Sequence, residues 1–379
     1  MTIRTIEGRF ALSPYACPRA WQESEYRQVD WENKLAMIER GRACVEATEA
    51  LTDMIGLSET NHTSRPEIPY DTFTNSIPNI IGSCMARGVA MFGVHLYGFV
   101  WMSNHAHLLL RAPKKNFADF MAYLNGQIAV NVNRFLGRTN QLWARRYAAA
   151  QVLDDAAELE MLGYLLANPQ NAGIASSISD WPGLSSAAFF FQNRNQRFLC
   201  FDRTAWHNNG RPSNIAPFLS TVTLEHKLLP QLSRLDKKKL RRKLRRLINE
   251  KLKPSPVADT HVQLAPAPPI RRQLLARTVI PTERPAPSKR KRSHQPLCHT
   301  TKPSLWQLYH KWYREFRIAF ADSSLEYKRG NTDVEFPPGS FAPSKYPRAR
   351  CSNDPDAFSR LHPTRQNLEI ADARAKLAA

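Results

Sequence analysis

No two cysteines in the chain are spaced C-x-x-C; its six cysteines (Cys17, Cys44, Cys84, Cys200, Cys298, Cys351) lie scattered far apart. That excludes a zinc ribbon and a dense disulfide framework and leaves ordinary reduced thiols as the expectation. No uninterrupted apolar run approaches the roughly 18 residues of a membrane span. The opening "MTIRTIEGRFALSPY" lacks the apolar centre of a signal peptide, so a cytoplasmic protein with no membrane partner is expected. Acidic residues are scarce: 33 Asp and Glu face 53 Lys and Arg, a formal charge of +20. Such an excess favours a polyanionic partner, nucleic acid first, over an acidic small molecule. An H-x-E followed by P-C-x-x-C is also missing, which sets zinc deaminase chemistry aside.

What the chain does have is enough apolar sequence (42%) over 379 residues for a sizeable core. Residues 71–190 carry the clearest periodicity. "NSIPNIIGSCMARGVAMFG" fits a helix despite Pro78 and Gly82; "VHLYGFVWM" reads as a strand and "HAHLLLR" as its antiparallel partner across a Ser103–Asn104 break. Phe117, Phe120, Met121, Leu124, Ile128, Val132 and Phe135 recur at helical spacing up to Gly137. "LWARRYAAAQVL" turns into a further strand, after which Asp154 or Asp155 caps a second helix that Pro169 is expected to stop near Asn168. This order predicts an α+β fold, an antiparallel sheet with helices on one face. Residues 1–70 offer one helix pattern and no strand pattern, and no role is assigned to them.

Residues 191–253 read as a helical basic extension. Within it "LSRLDKKKLRRKLRRLINEKLK" places Leu240, Leu244, Leu247 and Ile248 on one stripe of a helix rich in Lys and Arg. Lys238, Arg241, Arg242 and Arg245 are its candidates for phosphate-backbone contact, against the alternative of a solvated face. Residues 254–303 form a Pro-rich basic linker, expected to be unstructured, that includes "SKRKRSH". Residues 304–379 begin with an aromatic helix, whose stripe suits core or docking contacts better than base stacking.

The chemistry centres on "YGFVWMSNHAHLLLR", residues 97–111. Alternate residues of a strand share a face, so His105 and His107 present two imidazoles together. Alone, an H-x-H is more often a pair of satisfied histidines than a metal site. Two imidazoles do, however, leave coordination positions open for an ion that also binds a phosphate oxygen. In "AAELEMLGYLLANPQNAG", Leu159, Leu162, Leu165 and Leu166 make the apolar stripe, and four-residue spacing sets Tyr164 and Asn168 together on another side. Taken singly, Tyr164 is a boundary aromatic and Asn168 a helix cap before proline.

Together, "MSNHAHLLL" followed by "YLLANPQNAG", with "LWARRY" and "DWPGLSSAAF" alongside, resembles the single-tyrosine HUH transposases of the insertion-sequence 200/605-like superfamily, particularly the REP-associated tyrosine transposases. The resemblance covers about residues 76–190. It implies a ferredoxin-like domain in which His105, His107 and Asn168 hold Mg²⁺ or Mn²⁺ and Tyr164 is the nucleophile. The implied reaction cleaves and rejoins single-stranded DNA at hairpin ends through a 5′-phosphotyrosine, with a homodimer as a candidate assembly. Lys114, Lys115, Arg145 and Arg146, close in sequence to the site elements, are candidates for DNA backbone contacts. Relatives open with a strand carrying an aromatic and basic signature that residues 1–70 do not display. Its absence would suit an alternative reading, a domesticated DNA-binding protein that no longer cuts. A relaxase or replication initiator would carry a larger histidine cluster and a partner domain, neither of which is found.

Overall fold

The computed structural model describes residues 2–4, 12, 43, 46–55, 76–252, 296–340, 342–343, 349–353 and 365–377. The chain forms two compact units, one from residues 1–148 and 160–291, the other from 149–159 and 292–379. The fold is α+β.

The first unit is built on a three-stranded antiparallel sheet of order β1-β3-β2, with β1 at Thr2–Arg4, β2 at His95–Trp101 and β3 at His105–Arg111. β1 corrects the expectation that residues 1–70 hold no strand. It pairs Thr2 with His107 and Arg4 with His105, covering the edge of β3 beside the two histidines. A strand of three residues is too short to display alternation, which is why the pattern was silent. The β2–β3 hairpin closes tightly at Ser103 and Asn104, the Met102 amide donating to the His105 carbonyl at 2.8 Å.

Tyr97 is an extra residue in β2, since Leu96 faces Leu110 and Gly98 faces Leu109. This bulge switches the phase of the strand, so Leu96, Phe99 and Trp101 lie on one face with Ala106 and Leu108 of β3, all buried. Against that face pack α1 (Ile77–Phe92) and α2 (Phe117–Leu136). α1 tolerates Pro78 because it occupies the first turn, with Ser76 as the capping residue. It tolerates Gly82 because the Phe198 ring fills the space a side chain would need, 2.2 Å from an added Cβ. α2 buries Phe120, Met121, Leu124, Ile128, Val132 and Leu136 and ends at Gly137 in the left-handed conformation.

The opposite face carries His105, His107, Val100 and Gly98, and there α3 (Asp155–Asn171) packs. An added Cβ at Gly98 would stand 2.6 Å from Leu162 Cδ1, so the glycine is what lets α3 approach the sheet. The outer edge of β2 is covered by residues 184–186, through Trp101 N to Leu184 O at 2.8 Å and Ser186 N to Phe99 O at 3.0 Å. The stretch 191–253 opens on a hairpin, β5 (Gln196–Phe201) with β6 (Leu219–Leu224), packed on α1 through Phe198 and Leu224, before the expected basic helix α4 (Lys237–Lys251).

In the second unit β4 (Gln151–Val152) pairs in parallel with β7 (Cys298–His299), and α5 (Pro303–Lys328) and α6 (Arg365–Leu377) pack around Leu153, Leu305, Tyr309 and Leu368. β8 (Glu335–Phe336) and β9 (Arg350–Cys351) form a second short parallel pair. Asp154 Oδ1 accepts from the Ala157 amide at 2.8 Å, capping α3, and Oδ2 accepts from the Thr301 amide and the Thr300 hydroxyl. Burial pushes the Asp154 carboxyl up, but these hydrogen bonds together outweigh it and hold it below its ordinary value. The aromatic helix buries Leu305 and Tyr309, while Trp306 is exposed and lies against His310. Most of the expected linker, residues 253–295, and with it "SKRKRSH", lies outside the described residues.

Candidate active site

β3 presents the imidazoles of His105 and His107 side by side, centroids 5.1 Å apart and rings nearly perpendicular. Asn104, in the hairpin turn, sets the state of the first ring: its Oδ1 lies 2.7 Å from His105 Nδ1. An amide oxygen only accepts, so this contact requires Nδ1–H and leaves the lone pair on Nε2. That is the tautomer a metal ligand needs, with its second nitrogen oriented by a neighbouring oxygen. Asn104 was not singled out from the sequence, although an amide side chain one residue before a histidine at a tight turn is a readable sign.

α3 supplies the third ring. Leu162, Leu165 and Leu166 are buried, which turns Tyr164 toward the rim, 42% exposed, with its ring 5.7 Å from that of His107 and nearly perpendicular to it. Three of the four residues proposed for the centre thus meet on one sheet face. Asn168 stands one turn beyond Tyr164 on the same side of α3. It is not the helix cap: α3 runs on through Pro169 to Asn171, and the Asn168 carbonyl accepts from the Ala172 amide at 2.9 Å. Pro169 removes one amide donor near the end of α3, beyond which Gly173 takes the left-handed conformation. The Asn168 Nδ2 is buried without a hydrogen-bond partner among the described residues. The two ends of an amide are nearly isosteric, and the flipped orientation puts a carbonyl oxygen at that position. Two imidazoles and an amide oxygen are a donor set suited to a divalent ion with open positions. Among the described residues no group of three or more His, Cys, Asp or Glu could hold a metal.

The other candidates fall elsewhere. Lys114 and Lys115 follow the far end of β3, about 20 Å along the strand from His105 at its ordinary rise. The Phe117–Tyr147 ring contact, 5.3 Å between centroids, brings the Arg145–Arg146 segment to that same end. All four side chains are exposed.

α4 lies against α3. An added Cβ at Gly163 would meet the Leu247 carbonyl oxygen at 2.7 Å, so the two helices touch backbone to backbone next to Tyr164. Lys251 Nζ pairs with Glu160 at 3.0 Å, and Asn171 Nδ2 donates to the Lys251 carbonyl at 3.0 Å. Leu240, Leu244 and Ile248 are buried; Lys238, Arg242 and Arg245 are exposed and Arg241 is half-buried. Gly163 could have been noticed as a glycine inside a helix pattern, but its partner, 84 residues on, could not.

No helix among the described residues is long and apolar enough to cross a membrane. No curated protein and no solved structure matches the chain. Residues 65–168, which contain the hairpin, both histidines, Tyr164 and Asn168, match the family described as "Transposase IS200 like". Over those residues the chain is similar to the IS200-like transposase family.

Proposed function

We propose that the protein cuts and rejoins single-stranded DNA, with Tyr164 as the nucleophile and His105, His107 and Asn168 holding Mg²⁺ or Mn²⁺. The observation that carries this reading is the ring contact of an exposed tyrosine with His107 on the face that also bears His105. At 42% exposed, Tyr164 is open to a macromolecular substrate, while α3 is anchored by leucines on its other side.

When bound, the metal withdraws charge from the scissile phosphate and positions it. The Tyr164 oxygen attacks phosphorus, forming a Tyr–O–P bond as the P–O3′ bond breaks. The phenol gives up its proton and the departing 3′ oxygen gains one. The product is a 5′-phosphotyrosine with a free 3′ hydroxyl. The phosphodiester energy is retained in the covalent link, so rejoining needs no ATP. Asn104 keeps the His105 Nε2 lone pair available throughout. The resemblance suggests hairpin ends as the substrate, the cytoplasm as the compartment and a homodimer as a candidate assembly. A chain that binds DNA without cutting is the alternative; β1 covers the sheet edge beside the histidines, which supports the cutting reading.

The test uses single-stranded hairpin DNA from the flanks of the gene, labelled 3′ of the cleavage point, with the full-length protein. A denaturant-resistant adduct that requires Mg²⁺ or Mn²⁺ and is lost in Tyr164→Phe is expected. An adduct that survives Tyr164→Phe, or cleavage that releases a free 5′-phosphate, overturns the mechanism.

A further inference from the structure

α4 separates its charges in a definite way. At 100° per residue, Lys238, Arg242 and Arg245 form one row, and Leu247, which touches Gly163 of α3, lies roughly opposite it. Two exposed cations flanking the row are paired, Lys239 with Asp236 at 3.3 Å and Arg246 with Glu250 at 2.8 Å. The row itself has no ion pair among the described residues. Its steps of four and three residues set the charges about 6 and 4.5 Å apart along the axis. That pitch lets successive side chains reach successive phosphates of one strand.

The composition of the face decides what kind of nucleic acid it suits. Unpaired strands are held largely by aromatic rings on which bases stack. Lys237–Lys251 contains no Phe, Tyr or Trp. A face of exposed cations without a stacking platform fits the sugar-phosphate backbone of a duplex, whose bases are already stacked on each other. Resting on DNA as the substrate of the reading above, we propose that the outward face of α4 takes the backbone of paired DNA adjoining the single strand on which Tyr164 acts.

The seat of α4 gives this contact a consequence. Because α4 touches α3 at Gly163, one residue from Tyr164, paired DNA on its outer face stands at a fixed offset from the nucleophile.

The test compares full-length wild type with Lys238→Gln/Arg242→Gln/Arg245→Gln, all three exposed, so that the buried stripe is untouched. Three probes are bound across a salt series: a hairpin with an unpaired tail, a blunt hairpin, and the tail alone. Affinity for both hairpins should fall at least tenfold, with the slope of log K against log salt shallower by about 2 to 3. Affinity for the tail alone should change less than twofold. Equal losses on all probes would make α4 a single-strand track, and no loss on any would make it a solvated face; either result overturns the proposal. Binding is read without cleavage, so the outcomes separate. A wild type that forms no adduct but loses hairpin affinity on substitution defeats the Tyr164 reading alone. An adduct-forming wild type with unaltered hairpin binding in the variant defeats this proposal alone.

Discussion

Asn104 is the residue on which the state of His105 depends. With its Oδ1 2.7 Å from Nδ1, removal of the acceptor frees the ring to rotate and to place its proton on Nε2. Asn104→Ala should therefore weaken Mn²⁺ binding by about 10- to 100-fold, while Asn104→Asp, which keeps an acceptor, should not. Titration calorimetry with Mn²⁺ checks this, and equal affinity in Asn104→Ala and wild type would contradict it. The two histidines were legible because strand alternation forces i and i+2 onto one face. Tyr164 and Asn168 were legible as a pair from helical spacing. The cap expected at Asn168 was not found: the helix runs on through Pro169, giving up that residue's amide donor, and ends at Asn171.

At the scale of elements, glycines decide how closely helices come to the site. Gly98 admits Leu162 against β2, and this contact sets the height of α3 above the imidazoles. Gly98→Ala sets a Cβ 2.6 Å from Leu162 Cδ1, and where the leucine cannot turn aside α3 shifts outward and carries Tyr164 with it. The expected cost is about 1–3 kcal/mol of stability, from overpacking. Adduct formation should fall by more than tenfold at saturating DNA with binding affinity nearly unchanged, a split that a denaturation curve and single-turnover kinetics together can test. Unchanged kinetics would show that the leucine gives way instead. The long helices and the hairpin were readable because each repeats its pattern over several residues. The bulge at Tyr97 and the approach through Gly98 were not, since both depend on partners in other elements. β1 offered three residues and no period.

Across the whole chain, long-range contacts carry what no local pattern foretold. Asp154 is tied to Thr300 and Thr301, and Arg365 pairs with Asp155, Glu158 and Glu369. These partners, apart from Glu369, lie 146 to 210 residues away, and the sequence between them carries no sign of the pairing. The core of the first unit holds a different liability. The His226 ring stacks on Phe189 at 4.6 Å and on Phe99 at 5.5 Å, and both its nitrogens are buried without hydrogen-bond partners among the described residues. Burial pushes its pKa down to about 4. The unfolded chain takes up the proton near pH 6.5 and the folded chain does not, so stability is full above that pH and falls as pH drops from 6.5 toward 4. The loss should reach about 3 kcal/mol. Chemical denaturation at a series of pH values should show His226→Phe flattening this part of the profile; an identical slope in the variant would contradict the assignment.

The central claim is that Tyr164 becomes the covalent link to DNA. Its most direct test is proteolysis of the protein–DNA adduct formed with Mn²⁺, followed by mass spectrometry to locate the nucleotide-bearing residue. The account predicts the added mass on the peptide containing Tyr164, on the tyrosine itself. Modification of any other residue, or recovery of that peptide unmodified from a verified adduct, would contradict it.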